Sequence, residues 1–419
     1  MKRTAHIPWI EIRLRSGLSL SWRYDENRPD YFTSLSHERT TTKANNMTVN
    51  ITYYPDPRKG MDPNKIEEAI IGSQGECVVA YGDFGSKSRK YKCFITNYTV
   101  DIREGVLLYT LTMLSYAVTY NFDKVSEFNC PNTKDGFKNI VLPKIQSVID
   151  NLKPKTGSYK YICGPTIGNL ASEVKDSVIK INGTNSPFKF LIELCKQLVP
   201  ASGKGYFVLD VKDGYDTGVI NINHAYEGQV MLAKTFYWGT RDGEVISFKP
   251  KFEGNYALSM IRNEKININT TGDKGKQVII SKPSSDKIKE LAGDWSSNGD
   301  ILSVLAASNV SQSWFDENGD YAYKATLTVL GNHIEMKLGS STIEVNPIVG
   351  TSKHWSAGKY IVNSVTDSVS SQGFTTTYEL TKAVKVTNNL YGVDMKTSTD
   401  VIVDGAVVPL SEYDPAAAE

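Results

Sequence analysis

The amino-acid sequence predicts a β-rich α+β protein in which one β-module occurs twice, on either side of an α/β segment. Near the C-terminus, residues 358–382 read GKYIVNSVTDSVSSQGFTTTYELTK, and near the N-terminus, residues 91–117 read YKCFITNYTVDIREGVLLYTLTMLSYA. Each stretch has an apolar strand after a Lys, a polar turn with a glycine (Gly105, Gly373) and a returning strand rich in Thr and Tyr. This pattern is typical of a hairpin, because glycine supplies the positive φ angle where the chain reverses. Two such hairpins, each with its own preceding strands, indicate a duplicated module.

The strands that precede each hairpin show the alternation of a half-buried β-strand. Residues 34–54 contain the run MTVNI at 47–51, and residues 325–349 contain ATLTV at 325–329. Period-two alternation buries one face of a strand and exposes the other, as in the wall of a barrel or of a sandwich. The segment 7–14, IPWIEIRL, predicts a first strand near the N-terminus. Both modules therefore have the pattern of a scaffold.

Between the two β-modules the spacing of apolar residues becomes that of helices. Pro143 suits the first turn of a helix with an apolar face. Asn169 is a suitable N-cap for a second helix, whose apolar stripe reaches Ile181. The third helix has the clearest signals, because Ser186 and Pro187 provide a cap and a first-turn proline before a continuous apolar face. Strands are predicted next at residues 205–211 and 218–222, which makes the segment a small α/β unit.

The predicted organisation has four parts, since 419 residues are too many for one ordinary core. They are a first β-module at residues 1–120, an α/β domain at 121–235, a second β-module with inserted short helices at 236–384, and a C-terminal extension at 385–419. Within the second module, strands are predicted at 244–248, 266–269 and 277–281, and short helices at 286–292 and 301–307. The extension contains one predicted strand, at 401–408.

Composition narrows the classes of partner and compartment. The 47 Lys and Arg residues nearly balance the 46 Asp and Glu residues, so neither nucleic acid nor an anionic membrane is favoured as the main partner. No run reaches the ~20 apolar residues of a membrane span, and the basic N-terminus lacks the apolar region of a secretory signal. The cysteines are odd in number and irregularly spaced, which favours free structural thiols in a reducing cytoplasm. They are Cys77, Cys93, Cys130, Cys163 and Cys195.

We predict no catalytic, cofactor-binding or metal-binding residues. The histidines (His6, His37, His224, His333 and His354) form no H-x-x-x-H or H-E-x-x-H pair, and residues 316–320, DENGD, lack the spacing of a calcium loop. The Gly/Lys turns at 203–205 and 272–276 do not complete a phosphate-binding loop. Two hydrolase arrangements stay open: a carboxylate pair among the acidic residues, and a thiol nucleophile at Cys130 or Cys163. Neither has a spacing or a helix-start context that singles it out.

Five segments of the sequence together resemble the central hub proteins of phage tail baseplates. They are FTSLSHERTTTKANNMTVNI at 32–51, KCFITNYTVDIREGVLLYTLTM at 92–113, SPFKFLIELCKQL at 186–198, GYFVLDVKDG at 205–214 and HWSAGKYIVNSVTDSVSSQGFTTTYELTK at 354–382. The last segment carries the most specific pattern, G-K-Y-x-V-x-S-V followed by G-F-x-T-T-x-x-L. The similarity is closest to the hubs of contractile-tailed phages and phage-derived bacteriocins of Gram-positive bacteria, and it covers most of residues 1–384.

The resemblance implies two tail-tube-like antiparallel β-barrels per chain, with an α/β domain between them and short helices before the second barrel. It also implies a homotrimer, whose six barrels would match a sixfold tail tube. Such a hub is a non-enzymatic adaptor between the tail tube and tape measure above and the central spike and other baseplate proteins below. It would be assembled in the host cytoplasm and located in the virion baseplate or in a tail-like particle. Some relatives carry a fused lysozyme or peptidase, but no segment here is large enough for such a domain.

Subunit contacts are expected at barrel-edge strands and at loops near four tryptophans: Trp9, Trp22, Trp238 and Trp355. Two other functions stay open, a peptidoglycan hydrolase of the tail tip and a β-rich carbohydrate-binding or adhesin module. A hydrolase would release fragments from peptidoglycan, and an adhesin would bind host cells as an isolated protein. A hub would do neither and would form oligomers.

Overall fold

The structure is a computed structural model that describes most of the chain, in segments separated by gaps. The described residues are 7–23, 34–55, 62, 64–83, 89–115, 124–152, 159–184, 186–203, 205–225, 231–238, 244–252, 266–270, 273–278, 323–349, 352–354, 356–382, 400–403 and 406–409. Contacts divide the chain into two units, Met1–Ala383 and Val384–Glu419. The fold is β-rich, with a fourteen-stranded, mostly antiparallel sheet and short helices in the first unit.

The first β-module is a seven-stranded antiparallel sheet around its own core. Its elements are β1 (Pro8–Leu14), β2 (Ser19–Arg23), β3 (Ser34–Thr40), β4 (Asn46–Tyr53), helix α1 (Lys65–Gly72), β5 (Glu76–Asp83), β6 (Arg89–Arg103) and β7 (Val106–Ser115). The strands lie in the order β3-β4-β7-β6-β5-β1-β2. Alternate residues of β4, from Met47 to Tyr53, are buried in the core, as the sequence pattern predicts. Strands β2 and β3 at the two ends of the sheet contribute Leu20 and Leu35 to the same core, so the sheet curves around it.

The α/β domain has short strands and helices around a second core. It contains β8 (Phe128–Cys130), α2 (Thr133–Gly136), a π-helical turn (Phe137–Val141), α3 (Leu142–Asp150), β9 (Lys160–Cys163), α4 (Pro165–Glu173), β10 (Ile179–Ile181), α5 (Pro187–Gln197), β11 (Tyr206–Lys212) and β12 (Thr217–Ala225). The predicted first and third helices are confirmed. Pro143 lies in the first turn of α3, and the Ser186 hydroxyl caps α5 by accepting a hydrogen bond from the Lys189 amide.

The predicted second helix is wrong in its position and length. Helix α4 begins at Pro165, contains Asn169 in its interior and ends at Glu173. Ile181, which was assigned to the helical stripe, lies in strand β10, paired with β8. The apolar residues beyond Glu173 are β-branched and fit a pleated strand as well as a helix, so their spacing alone does not distinguish the two.

The second β-module follows the α/β domain. Its elements are β13 (Met231–Trp238), β14 (Val245–Phe252), the hairpin β15–β16 (Ile266–Thr270 and Asp273–Val278), β17 (Tyr323–Leu330), β18 (Ser341–Val349), β19 (Ser352–Lys353), β20 (Gly358–Ser370) and β21 (Gly373–Lys382). Five strands lie in the order β14-β17-β21-β20-β18, and β13 pairs with the outer edge of β18. This module has its own core, which includes Phe236, Leu327 and Tyr378. Strand β13 spans the predicted domain boundary at residue 235.

The two modules share one strand order, as expected for a duplicated module. In the first module β4-β7-β6-β5 are neighbours, and in the second β17-β21-β20-β18 take the same places in the same chain order. Each hairpin also has a bulge at an equivalent place. The bulge residue is Thr96 in β6 and Asn363 in β20. Each lies seven positions before the last residue of its strand, which is Arg103 in β6 and Ser370 in β20. The modules differ beyond this block, because β1 is antiparallel to β5 whereas β13 is parallel to β18.

The two hairpin glycines have the predicted positive φ angles but occupy different places. Gly105 (φ +81°) is the second residue of a two-residue turn after Glu104 (φ +49°), as in a type I′ turn. Gly373 (φ +131°) is the first residue of β21 and pairs with Ser370, so the turn itself is formed by the two residues before it. The prediction that Gly373 belongs to the turn is therefore wrong by one position.

Replacing Gly373 by valine should lower the free energy of unfolding by about 1–3 kcal/mol, because a β-branched side chain is strained at this φ angle. A Cβ atom at this position would meet no heavy atom within 4 Å, so the cost is one of backbone conformation. Thermal unfolding and solubility of Gly373→Val should be compared with those of Gln372→Val, a neighbouring turn variant at negative φ. An unchanged midpoint and unchanged solubility for Gly373→Val would contradict this expectation.

Further predictions concern the second module and the extension. The predicted strand at 266–269 corresponds to β15, and β16 overlaps only the start of the one predicted at 277–281. The predicted short helices at 286–292 and 301–307 lie outside the described residues. The extension has a hairpin of β22 (Asp400–Val403) and β23 (Ala406–Pro409), so the prediction of one strand at 401–408 is wrong. The sequence between these strands is Asp-Gly, a favoured two-residue hairpin connection.

All five cysteines are free thiols in the structure, and all but Cys163 are buried. Cys77 and Cys93 lie opposite each other on β5 and β6, and burial raises the pKa of Cys77 to about 12. A protonated, buried thiol is a poor nucleophile. Among the described residues, no helix is long and apolar enough to cross a membrane.

Candidate functional site

The joint between the two β-modules is an edge-to-edge pairing of strands from opposite ends of the chain. Strand β3 pairs antiparallel with the second half of β20, from Ser364 opposite Thr40 to Ser370 opposite Ser34. The tip of the β20–β21 hairpin also contributes apolar side chains to the core of the first module. They are Val369 and Phe374, which are 0% and 4% exposed. The pairing and the shared core join the modules into one continuous sheet.

A buried polar network lies beneath this joint. The Tyr81 hydroxyl donates to Asp367 Oδ2 at 2.7 Å, and the Thr376 hydroxyl donates to Asp367 Oδ1 at 2.8 Å. His37 Nδ1 lies 2.7 Å from the Tyr81 oxygen. Because the one hydroxyl proton of Tyr81 goes to Asp367, His37 must donate through Nδ1 and be the neutral tautomer with that proton. Every group in this chain of hydrogen bonds comes from a different strand, so the network holds both modules together.

The pKa values of the network follow from its burial. Burial, and then the nearby Arg39 guanidinium, lower the pKa of His37 to about 3. Burial raises the pKa of Asp367 to about 6, although the hydrogen bonds from Tyr81 and Thr376 oppose that shift. Burial also raises the pKa of Tyr81 well above its ordinary value. A group of perturbed carboxyl, phenol and imidazole side chains is a reason to consider catalysis.

The space at this network does not suit a substrate. The adjoining cavity holds about 20 Å³, which is room for roughly one water molecule, whereas small-molecule sites are typically ~300–1,000 Å³. Its walls come from both modules: His37, Arg39, Arg89, Tyr91, Asn332, His333, Ile334, Val365, Asp367 and Tyr378. We therefore interpret the network as the polar part of a structural joint.

Asp367→Asn tests the electrostatics of the joint through the pH dependence of stability. The pKa of Asp367 rises from 3.8 to about 6 in the folded chain, so folding favours the protonated acid and the contribution of this group to stability decreases as the pH rises between these values. The variant should therefore gain stability relative to the wild type across this window, by up to about 3 kcal/mol at 1.36 kcal/mol per pKa unit. Urea unfolding of both proteins at about pH 4.5 and pH 7 measures the difference. An Asp216→Asn variant controls for the loss of an exposed carboxylate, and a stability difference that is equal at the two pH values would contradict the prediction.

A buried ion pair connects the joint to the α/β domain. Arg39 of β3 donates through Nη2 to Asp210 Oδ1 at 3.1 Å and to the Met336 carbonyl oxygen at 2.9 Å. The Arg39 and Asp210 side chains are 10% and 0% exposed. Burial raises the pKa of Asp210, and the Arg39 guanidinium opposes this shift by favouring the carboxylate. Asn223 of β12 adds a bond from Nδ2 to the Leu338 carbonyl oxygen at 2.8 Å. Three parts of the chain thus meet at Arg39.

A second buried carboxylate, Asp213, connects the α/β domain to the first module. Its Oδ1 accepts hydrogen bonds from the Tyr161 hydroxyl at 2.5 Å and the Ser115 hydroxyl at 2.9 Å, and its Oδ2 accepts one from Asn45 Nδ2 at 2.7 Å. Burial raises the pKa of Asp213, although these three bonds oppose the shift. A buried carboxylate with three donors is well satisfied, which is typical of a structural contact.

The four tryptophans expected at subunit contacts occupy different environments. Trp9 is half-buried in β1, and Trp22 is only 7% exposed and belongs to the core of the first module. Trp238 is 36% exposed at the end of the edge strand β13, beside the exposed Tyr237. Trp355 lies outside the described residues. The expectation of a contact thus fits Trp238 better than Trp22.

No group of three or more His, Cys, Asp or Glu side chains could hold a metal ion within the part of the chain that the structure describes. His37 belongs to the joint, His224 stacks on Phe207 with ring centroids 4.8 Å apart, and His354 Nδ1 lies 2.8 Å from the Ser356 hydroxyl. The structure does not bring Cys130 or Cys163 into any of these contacts. The buried carboxylates Asp210, Asp213 and Asp367 were not predicted from the sequence. Only Asp210 has a local sequence signal, because it is an acidic residue inside the apolar run YFVLDV.

Comparison with known proteins shows structural likeness at low sequence identity. No family model and no curated protein matches the chain. A 43 kDa tail protein of prophage MuSo2 from Shewanella oneidensis is 13% identical with a TM-score of 0.49, over 90% of this chain and 98% of that one. A tail protein from Neisseria meningitidis MC58 is 10% identical with a TM-score of 0.49, over 89% and 96%. The E. coli c3393 protein, a component of the type VI secretion system, is 8% identical with a TM-score of 0.46, over 88% and 76%. The chain is thus similar to tail proteins and to a secretion-system component.

Proposed function

We propose that this chain is a structural baseplate hub of a phage tail or tail-like particle. Three copies would form an adaptor between the sixfold tail tube, with its tape measure protein, and the threefold central spike. The observation that carries the proposal is the repeated strand order of the two β-modules, together with their edge-to-edge pairing. A chain with one module twice can occupy two neighbouring places in a sixfold ring, so three chains supply six similar modules.

The proposal includes a tube-like barrel shape for each module. In the first module, both end strands of the sheet contribute side chains to one core. In the second, β13 and β14 at the two ends both contribute to one core, through Phe236 and Phe248. Each sheet thus curves around a single core like the wall of a barrel, while the second edge of β3 is taken by β20 of the other module.

Two of the five segments that resemble baseplate hubs include the joint. Residues 32–51 contain β3 and residues 354–382 contain β20, the two strands that pair between the modules. The resemblance therefore includes both strands of the joint, and it supports a hub of the contractile, Gram-positive type, including bacteriocin particles. The particle type and the proteins that this chain contacts are part of the proposal.

Cryo-electron microscopy of the parent particle tests the proposal. We expect three copies of the chain at the distal end of the tail tube, above a trimeric spike, with first and second modules alternating around a lumen. True threefold and only approximate sixfold symmetry should result, because the two modules differ in sequence. Six copies, a single copy or a position on the baseplate periphery would overturn the proposal.

The purified protein should release no soluble fragments from host peptidoglycan, because no motif in the sequence places a nucleophile, base or metal together. The assay should be run with and without added zinc, with lysozyme as the positive control. Reproducible release of fragments above a buffer blank would contradict this prediction and favour the peptidoglycan hydrolase over the hub.

A further inference from the structure

Half of strand β6 has an open edge. Strand β5 pairs with β6 only from Arg89 to Phe94, and the part of β6 from Asn97 to Arg103 pairs with β7 alone among the described residues. Val100 and Ile102 in this half are 38% and 70% exposed. Exposed apolar side chains beside a free strand edge are the features of a site for strand addition.

In the second module, the equivalent half of β20 is covered. The shared bulge position makes Asn97 equivalent to Ser364 and Arg103 equivalent to Ser370. The stretch from Ser364 to Ser370 pairs with β3, the strand that comes before the four-stranded block of the first module. Of these two equivalent halves, only the one in β6 lacks a covering strand from the chain itself, within the described residues.

Strand β14 of the second module is the equivalent of β3. One row of directly opposite residues runs across β6, β7, β4 and β3 through Tyr98, Leu111, Val49 and Leu35. The matching row across β20, β21, β17 and β14 runs through Val365, Tyr378, Leu327 and Phe248. Leu35 and Phe248, which end the two rows, are both buried. Among the described strands, β14 pairs with β17 only. Its other edge corresponds to the edge by which β3 pairs with β20, and it is unpaired among these strands.

We propose that β14 of one chain pairs antiparallel with the open half of β6 of a second copy, in the register of the β3–β20 joint. That register places Ile102 opposite Phe248, just as Val369 lies opposite Leu35 within the chain. Val369 and Leu35 are 0% and 1% exposed, so the second copy would bury Ile102 in the same manner. The inference rests on the proposed hub, and it specifies which surfaces of neighbouring copies meet.

The polar face of the proposed pairing is also complementary. Asp101 falls opposite Lys249, which is exposed, and opposite charges across an antiparallel pair are favourable. Pro250 falls opposite Val100 and has no N–H group, so it removes at most one hydrogen bond from the ladder. Because β6 and β14 are different surfaces, the contact is head-to-tail, and such contacts close into a ring when the rotation per copy permits it.

Disulfide cross-linking tests the register. Asp101→Cys with Lys249→Cys in one chain should give interchain disulfides on mild oxidation, seen as dimers and trimers on a non-reducing gel. A mixture of the two single variants should give dimers only, and Asp101→Cys alone should give none, because the contact is head-to-tail. The intrachain pair Ser36→Cys with Ser368→Cys is the positive control, since these positions lie opposite each other in the equivalent joint.

The matched negative control is Arg103→Cys with Lys251→Cys, on the same two strands. In the proposed register these positions are displaced by four residues, or about 13 Å, which is beyond the roughly 7 Å limit for a disulfide. Cross-linking of this pair to the same extent as the test pair, or no interchain link in the test pair while the positive control forms, would overturn the inference. If the particle contains three copies but no link forms between Asp101→Cys and Lys249→Cys, the hub proposal stands and the proposed pairing is wrong. If the link forms in a particle with another copy number, the proposed pairing stands and the hub proposal is wrong.

Discussion

Asp210→Ala should lower the free energy of unfolding by about 3–5 kcal/mol, the cost of leaving a buried charge without its partner. Arg39 would then lie in the joint with its guanidinium 10% exposed and its carboxylate lost. The Met336 carbonyl would be its remaining hydrogen-bond acceptor among those that the structure gives it. Urea unfolding of the variant and the wild type at neutral pH measures the loss.

Two further variants distinguish the cost of an unpaired buried charge from the cost of removing a side chain. Glu193→Ala removes one side of a surface ion pair with Lys189, whose side chains are 34% and 67% exposed, and its loss should be below about 1 kcal/mol. The double variant Arg39→Met with Asp210→Leu should recover most of the loss, because apolar side chains of similar size leave no unpaired charge. If Asp210→Ala were as mild as Glu193→Ala, the ion pair would not have the structural role that we assign to it.

Phe374→Ala should also lower the free energy of unfolding by about 3–5 kcal/mol, the usual range for removing a buried aromatic ring. Phe374 is the second residue of the returning strand β21 of the second module but is buried in the core of the first. Its ring centroid lies 5.2 Å from that of His333 and 6.1 Å from that of Tyr81. The cavity would therefore open at the joint, and hydrogen exchange should accelerate first in β3 and β20.

The matched control is Phe128→Ala in the α/β domain, where the ring packs edge-on against Phe190 with centroids 5.8 Å apart. This variant should lose a comparable amount of stability without early exchange in β3 and β20. Equal acceleration in all strands for Phe374→Ala, or the same exchange pattern in both variants, would contradict a local role of Phe374 at the joint.

The sequence alone determined the elements in which local periodicity is strong. Alternation in β4 and β17 follows from the pleat of a strand, and the cap at Ser186 follows from the free amides of a helix start. The repeated hairpins were visible for the same reason, since a strand, a two-residue turn and a returning strand are contiguous. The second helix was misplaced because a short β-branched run satisfies both helical and strand spacing.

The tertiary structure alone decided which edges meet and which polar groups are buried together. Arg39 and Asp210 are 171 residues apart, and Tyr81 and Asp367 are 286 apart, so no local spacing relates them. Asp367 lies in a polar, alternating strand that the sequence assigns correctly, yet its burial depends on β3 lying against β20. Backbone geometry repeats every few residues and is recorded locally, whereas a buried ion pair or a strand joint depends on surfaces brought together by the whole chain. That is why the modules could be predicted and the joint could not.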